Sequence, residues 1–160
     1  DYKIAWYEND GSQSFTTHII STSANDAQSV FAIDVDGDGD IDVLSASKGD
    51  DKIAWYENDG SQNFTAHNIT TGADAAISVF AVDVDGDGDI DVLSASFNDD
   101  RIAWYENLQP KTTVITTADY FTSNSAYIIE TDANTAMSVF AIDVNGDGCL
   151  CVARGLATSG

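Results

Sequence analysis

Apolar residues along this chain fall in short runs, broken at regular intervals by clusters of Asp, Gly, Asn and Ser. From Ser29 to Val35 the run is nearly unbroken, which predicts a strand covered on both faces. An Asp-Gly loop follows, then a second strand from Ile41 to Ser47, a turn at Lys48-Gly-Asp-Asp51 and a third strand from Lys52 to Asn58. Asn58-Asp59-Gly60-Ser61 is a strong turn signal, and Phe64 to Thr70 supplies a fourth strand. Side chains alternate along a strand, so Ile53, Trp55 and Glu57 share one face of the third strand while Ala54, Tyr56 and Asn58 share the other. No stretch carries the periodicity of an amphipathic helix, and the pattern predicts an all-β chain.

The four-strand unit recurs. Ser29-Val-Phe-Ala-Ile-Asp34 returns as Ser78-Val-Phe-Ala-Val-Asp83 and again as Ser138-Val-Phe-Ala-Ile-Asp143. Ile4-Ala-Trp6-Tyr7-Glu8-Asn9 returns from Ile53 to Asn58 and from Ile102 to Asn107. The first interval is 49 residues (Phe31 to Phe80) and the second is 60 (Phe80 to Phe140). The extra length lies near residues 108–132, around the single proline, Pro110, and predicts an enlarged outer hairpin or loop. Four short antiparallel strands in a period of about 40–50 residues match one β-propeller blade. On this division 1–24 is half a blade, 27–75 a blade, 76–136 a blade with the insertion, and 138–155 another half. The sum is about three blade-equivalents, below the roughly 4–8 of closed propellers. Residues 1–160 therefore read as a partial propeller, completed by the remaining blades of a longer chain or by self-association.

The most charged element is Asp34-Val-Asp36-Gly-Asp38-Gly39-Asp40-Ile-Asp42, repeated as Asp83-Val-Asp85-Gly-Asp87-Gly88-Asp89-Ile-Asp91. Carboxylates this dense repel one another unless a cation lies among them. Asp at positions 1, 3, 5 and 9 of a tight loop, with Gly at 6, is the donor set of a hard, oxygen-seeking ion, and the reading is calcium. Asp34, Asp36, Asp38 and Asp42 are the expected side-chain ligands of one site, and Asp83, Asp85, Asp87 and Asp91 those of a second. Asp40 and Asp89 join through their backbone carbonyls, with side chains toward solvent. Gly39 and Gly88 let the backbone turn where a side chain would clash. An EF-hand is excluded, because its final position, a bidentate Glu, falls here on Ser45 or Ser94 inside a strand. The third copy keeps Asp143, Asn145 and Asp147 but has Cys151 at the ninth position, so a weak or empty site is expected there. Cys149 and Cys151 are too few for a structural zinc site, and a disulfide between them would be strained.

The run from Val30 to Ser47, Val-Phe-Ala-Ile-Asp-Val-Asp-Gly-Asp-Gly-Asp-Ile-Asp-Val-Leu-Ser-Ala-Ser, together with Lys52-Ile-Ala-Trp-Tyr-Glu-Asn58, resembles the FG-GAP/VCBS repeat family. That family includes integrin α-subunit propellers, some fungal and bacterial lectins, and many large secreted bacterial and algal proteins. The resemblance extends from residue 1 to about 152. It implies a β-propeller with calcium in the first hairpin of each blade, and it implies no single activity.

A formal charge of −21 on 160 residues argues against nucleic acid as a partner and against docking on anionic membranes. Two bound calcium ions would leave about −17. No apolar run reaches the roughly 18 residues of a membrane-spanning helix, so membrane insertion is not expected. Loops of this type suit millimolar calcium, which favours a secreted, extracellular or cell-surface setting. With only two cysteines, packing and calcium must hold the fold. Asn63-Phe-Thr65 and Asn68-Ile-Thr70 match the glycosylation triplet, a pattern that arises easily by chance.

Trp6, Trp55 and Trp104 recur in register, as do Tyr7, Tyr56 and Tyr105, and Glu8, Glu57 and Glu106. Such repetition suits packing between blades and structural hydrogen bonds. Trp55, Tyr56, Trp104 and Tyr105 are also the candidates for a sugar site between blades. His18 and His67, with no neighbouring Cys or second His, read as solvent-facing. No nucleophile elbow, phosphate loop or His-Glu metal motif is present, and catalysis needs one asymmetric constellation rather than copies. The sequence thus predicts a non-catalytic, calcium-binding adhesion or recognition segment with a protein or glycan ligand. A lectin-like carbohydrate-binding module and the scaffold of a larger secreted enzyme are the alternatives.

Overall fold

The structure, a computed structural model, describes residues 2–108, 126–130, 136–142 and 151–156. It contains β1 (Ile4–Asn9), β2 (Phe15–Ser21), β3 (Ala27–Ile33), β4 (Asp42–Ser47), β5 (Lys52–Asn58) and β6 (Phe64–Thr70). These are followed by β7 (Ala76–Val82), β8 (Asp91–Ser96), β9 (Arg101–Tyr105), β10 (Ala126–Glu130), β11 (Ala136–Ile142) and β12 (Cys151–Leu156). No helix occurs among the described residues. Strands β3 to β6 and β7 to β10 form two four-stranded sheets, and β1–β2 and β11–β12 form two-stranded ones. Each strand pairs antiparallel with its sequence neighbour, the meander of a propeller-like blade. The expected insertion falls largely on residues 109–125, outside the described residues, and β10 resumes the sheet after it.

The repeats agree down to their irregularities. The β3–β4 register shifts between Ala27 and Ser29, the β7–β8 register between Ala76 and Ser78, and the β11–β12 register between Ala136 and Ser138. A bulge conserved at the same step bends each inner strand in the same way. It also sets the serine that bridges neighbouring sheets: Val79 N donates to Ser29 Oγ (3.4 Å), and Val139 N donates to Ser78 Oγ (3.3 Å).

Sheets stack through both faces of their central strands. Leu44, Ala46, Ile53 and Trp55 pack forward against Val79, Ala81 and Tyr105 of the next sheet. Ala54 and Tyr56 pack backward against Ile4 and Ala24. Leu93, Ala95 and Ile102 repeat the forward contact on Val139. Burying one such aliphatic side chain contributes about 1.5–3 kcal/mol. Each sheet matches one pair of buried hydroxyls, Ser45 Oγ with Tyr56 Oη (3.4 Å) and Ser94 Oγ with Tyr105 Oη (3.3 Å).

One strand departs from the sequence expectation. Cover on both faces is realised for β7, where Val79 is 5% exposed, but not for β3, where Val30 is 58% exposed and Ala32 is also open. The cause is the neighbour: β4 lies over β7, whereas among the described residues no counterpart of β4 lies over β3.

The histidines also differ from the solvent-facing expectation. His18 stacks on Trp6 with ring centroids 4.3 Å apart, and His67 on Trp55 at 4.7 Å. Each Nε2 meets the glutamate two residues beyond its tryptophan, Glu8 at 3.0 Å and Glu57 at 2.8 Å. Register explains this, because His18 is opposite Trp6 and His67 opposite Trp55.

Candidate metal centre

Each Asp-Gly loop joins an inner strand to its partner, β3 to β4 and β7 to β8. Carboxylates at alternate positions capture the loop's own backbone amides. Asp34 accepts from Gly37 N (2.8 Å) and Gly39 N (3.0 Å), Asp36 from Asp38 N (3.2 Å), and Asp38 from Asp40 N (2.8 Å). The second loop repeats these: Asp83 accepts from Gly86 N (2.7 Å) and Gly88 N (3.0 Å), Asp85 from Asp87 N (3.2 Å), and Asp87 from Asp89 N (2.9 Å). Gly39 and Gly88 both sit at φ +97°, a left-handed conformation that a side chain would strain.

The last carboxylate of each loop has a different setting. Asp42 opens β4 fully buried, and Asp91 opens β8 at 1% exposure. Asp42 Oδ2 accepts from Val35 N (3.0 Å) and Oδ1 from Asn58 N (2.8 Å). Asp91 does the same with Val84 N (3.0 Å) and Asn107 N (2.8 Å). The indoles of Trp55 and Trp104 lie close to these same carboxylates and oppose the effect of burial on them. The asparagine of the Trp-Tyr-Glu-Asn motif therefore clasps the loop's end, with the tryptophan beside it, a role that sequence reasoning missed. Its signal was the fixed offset of that strand from the loop, Asp42 to Trp55 and Asp91 to Trp104, equal in both repeats.

The fold brings ligand oxygens of Asp34, Asp36 and Asp42 within 4.8 Å of one another, and likewise those of Asp83, Asp85 and Asp91. Asp38 and Asp87 stand outside these groups, exposed on the loop tips. Asp40 is half-buried rather than directed into open solvent, because its carboxylate lies against Gly60 in the β5–β6 turn. The third loop, with Asp143, Asn145 and Asp147, lies outside the described residues. Trp55, Tyr56 and Tyr105 are buried between sheets and Trp104 is half-buried, which leaves none of the first three with an open ring face.

Electrostatics inside each group favour a cation. Burial, then the neighbouring carboxylates of Asp42, Asp38 and Glu57, push Asp36 up to about 6. Burial likewise raises Asp42 and Asp91, against the opposing pull of the amide and indole donors. A divalent ion would relieve this repulsion, and the donors are all hard oxygens. The residues fit such an ion.

Gly60 offers a test of the loop's footing. It holds φ +74°, and a methyl group there would collide with the Asp40 carboxylate. Gly60→Ala is expected to cost about 1–2 kcal/mol in urea unfolding. An unchanged midpoint would show that turn and loop move independently.

A family model described as FG-GAP-like repeat matches the chain three times, at residues 1–45, 34–94 and 83–150. Successive matches overlap on the two Asp-Gly loops and the strands that follow them. Comparison with curated proteins gives no match.

Proposed function

We propose, from the premise that this chain belongs to the FG-GAP-like repeat family, that it is a calcium-stabilised propeller segment of a secreted or cell-surface protein, serving adhesion or recognition without catalysis. The observation that carries this reading is the pair of three-carboxylate groups, built alike in two successive repeats. Oxygen-only donors on a flexible loop suit calcium better than a soft metal, and better than magnesium with its rigid octahedron. Such sites fill where calcium is millimolar, outside the cell.

The non-catalytic part of the reading rests on repetition. The polar pair His67–Glu57 recurs as His18–Glu8, whereas catalysis draws on a single asymmetric set of groups. The expected neighbours are further repeat units, whether from a longer chain or from other copies. Val30 and Ala32 present on β3 the side that β7 buries under β4. A cleft of about 330 Å³ between Trp6, Ile41 and Phe64 continues that side, free of carboxylates in a chain of 27 Asp and Glu.

Calorimetric titration of the metal-free chain with calcium tests the reading. Two ions per chain are expected at roughly 0.1–1 mM, the range of extracellular modules. Asp34→Ala and Asp83→Ala should each remove one. Unchanged stoichiometry in both variants, or no binding by the parent chain, would sink it.

A further inference from the structure

Asn107, two residues beyond β9, ends the Trp-Tyr-Glu-Asn motif of the second complete sheet and is 1% exposed. Its backbone N donates to Asp91 Oδ1 (2.8 Å), and its Nδ2 donates to Ile90 O (3.1 Å), both within its own repeat. The same Nδ2 also donates to Val35 O at 3.3 Å, and Val35 belongs to the other aspartate loop. Val35 in turn donates its N–H to Asp42 Oδ2 at 3.0 Å. An unbroken hydrogen-bonded path thus runs from Asp91 of one carboxylate group, through Asn107 and Val35, to Asp42 of the other. The carbonyl that Asn107 grips forms the peptide unit entering Asp36, a third member of the first group.

The preceding repeat provides an internal comparison. Asn58 makes the same two local bonds, to Asp42 Oδ1 (2.8 Å) and Ile41 O (3.1 Å). It is half-buried, and among the described residues its amide reaches no second loop.

We propose that Asn107 couples the two aspartate loops, so that an ion in one raises the affinity of the other. The proposal rests on the calcium reading above. An ion at Asp83, Asp85 and Asp91 immobilises Asp91 and, through it, the Asn107 backbone and amide. The Val35–Asp36 peptide is then already oriented, and the first loop gives up less freedom when it closes on its own ion. Linkage makes the effect reciprocal. One shared side chain places the coupling at the lower end of the usual range, about 5- to 10-fold.

The test is a calcium titration of the full chain by calorimetry, for the parent, Asn107→Ala and Asn58→Ala. The parent should take up two ions with a Hill coefficient above 1. Asn107→Ala should still bind two, with the second loop weakened by loss of the Ile90 O bond, cooperativity abolished, and first-loop affinity in the presence of the second ion lowered about 5- to 10-fold. Asn58→Ala should weaken the first loop yet keep the cooperativity. Independent binding in the parent, or cooperativity that survives Asn107→Ala, overturns the coupling while leaving the metal sites intact. A parent chain that binds no calcium overturns both readings. Should Asn107→Ala fail to fold, hydrogen exchange in Asp34→Ala, whose first loop is disabled, decides the matter. Calcium at the second loop should then slow exchange of the Val35 amide about 5-fold, and an unaltered rate overturns the proposal.

Discussion

Alanine at Asp42 is expected to destabilise the fold by about 3 kcal/mol even with no metal present, more than its role as one ligand among several would suggest. The side chain is fully buried, and its two oxygens satisfy Val35 N in the loop and Asn58 N at the end of β5. Removing it takes the acceptor from one buried amide, Val35 N, and one half-buried amide, Asn58 N. Each lost charge-assisted bond is worth about 1.5–3 kcal/mol, partly offset by relief of burying a carboxylate. Asparagine, although isosteric, presents an NH₂ to one of the two donors and should recover only about 1 kcal/mol. Asp38→Ala is the contrast, since Asp38 is exposed and holds a single local amide, and should cost less than about 1 kcal/mol. Urea unfolding at neutral pH in metal-stripped buffer measures all three. Equal midpoints for Asp42→Ala and Asp38→Ala would refute the clasp.

The parts of this architecture legible in sequence are those that depend on neighbours along the chain. Strands and turns follow from alternation and from the Asp-Gly and Asn-Asp-Gly signals, and repetition multiplies each signal. The loop spacing likewise named Asp34, Asp36 and Asp42, because positions 1, 3 and 9 of a tight turn converge whatever surrounds them. What was hidden depends on a partner far away in the chain. Trp55 and Asn58 reach Asp42 only because β5 pairs with β4, and Asn107 reaches Val35 only because one sheet lies on the next. The same cause separates β3 from β7, whose sequences are nearly identical. Val30 and Val79 differ in exposure by what stands beside them, and no local pattern encodes that. Asp40 was misread for a related reason, since the turn that covers it comes from the far end of β5.

Calcium should reverse the sign of this protein's pH dependence between about pH 4 and 6. In metal-stripped buffer Asp36 holds its proton to about 6 in the folded chain, against an ordinary value of 3.8. Over that interval the native state binds a proton that the unfolded chain has released, so stability falls as pH rises and levels off above about 6. The raised values of Asp42 and Asp91 act in the same direction. With calcium present, the ion needs the ionised carboxylates and competes with those protons, so affinity grows as pH rises through the same interval. At about 10 mM calcium, roughly 10 to 100 times the Kd expected above, each ion adds about 1.4–2.7 kcal/mol, and two such sites add about 3–5 kcal/mol. Thermal midpoints from about pH 4.5 to 7.5 should therefore decline in stripped buffer and climb in millimolar calcium, the two curves diverging toward neutrality. Two parallel curves would mean that the carboxylate groups do not hold the ion, whatever the titration stoichiometry. Divergence confined to Asp83→Ala and lost in Asp34→Ala would assign the proton competition to the first loop, where Asp36 sits under Asp42, Asp38 and Glu57.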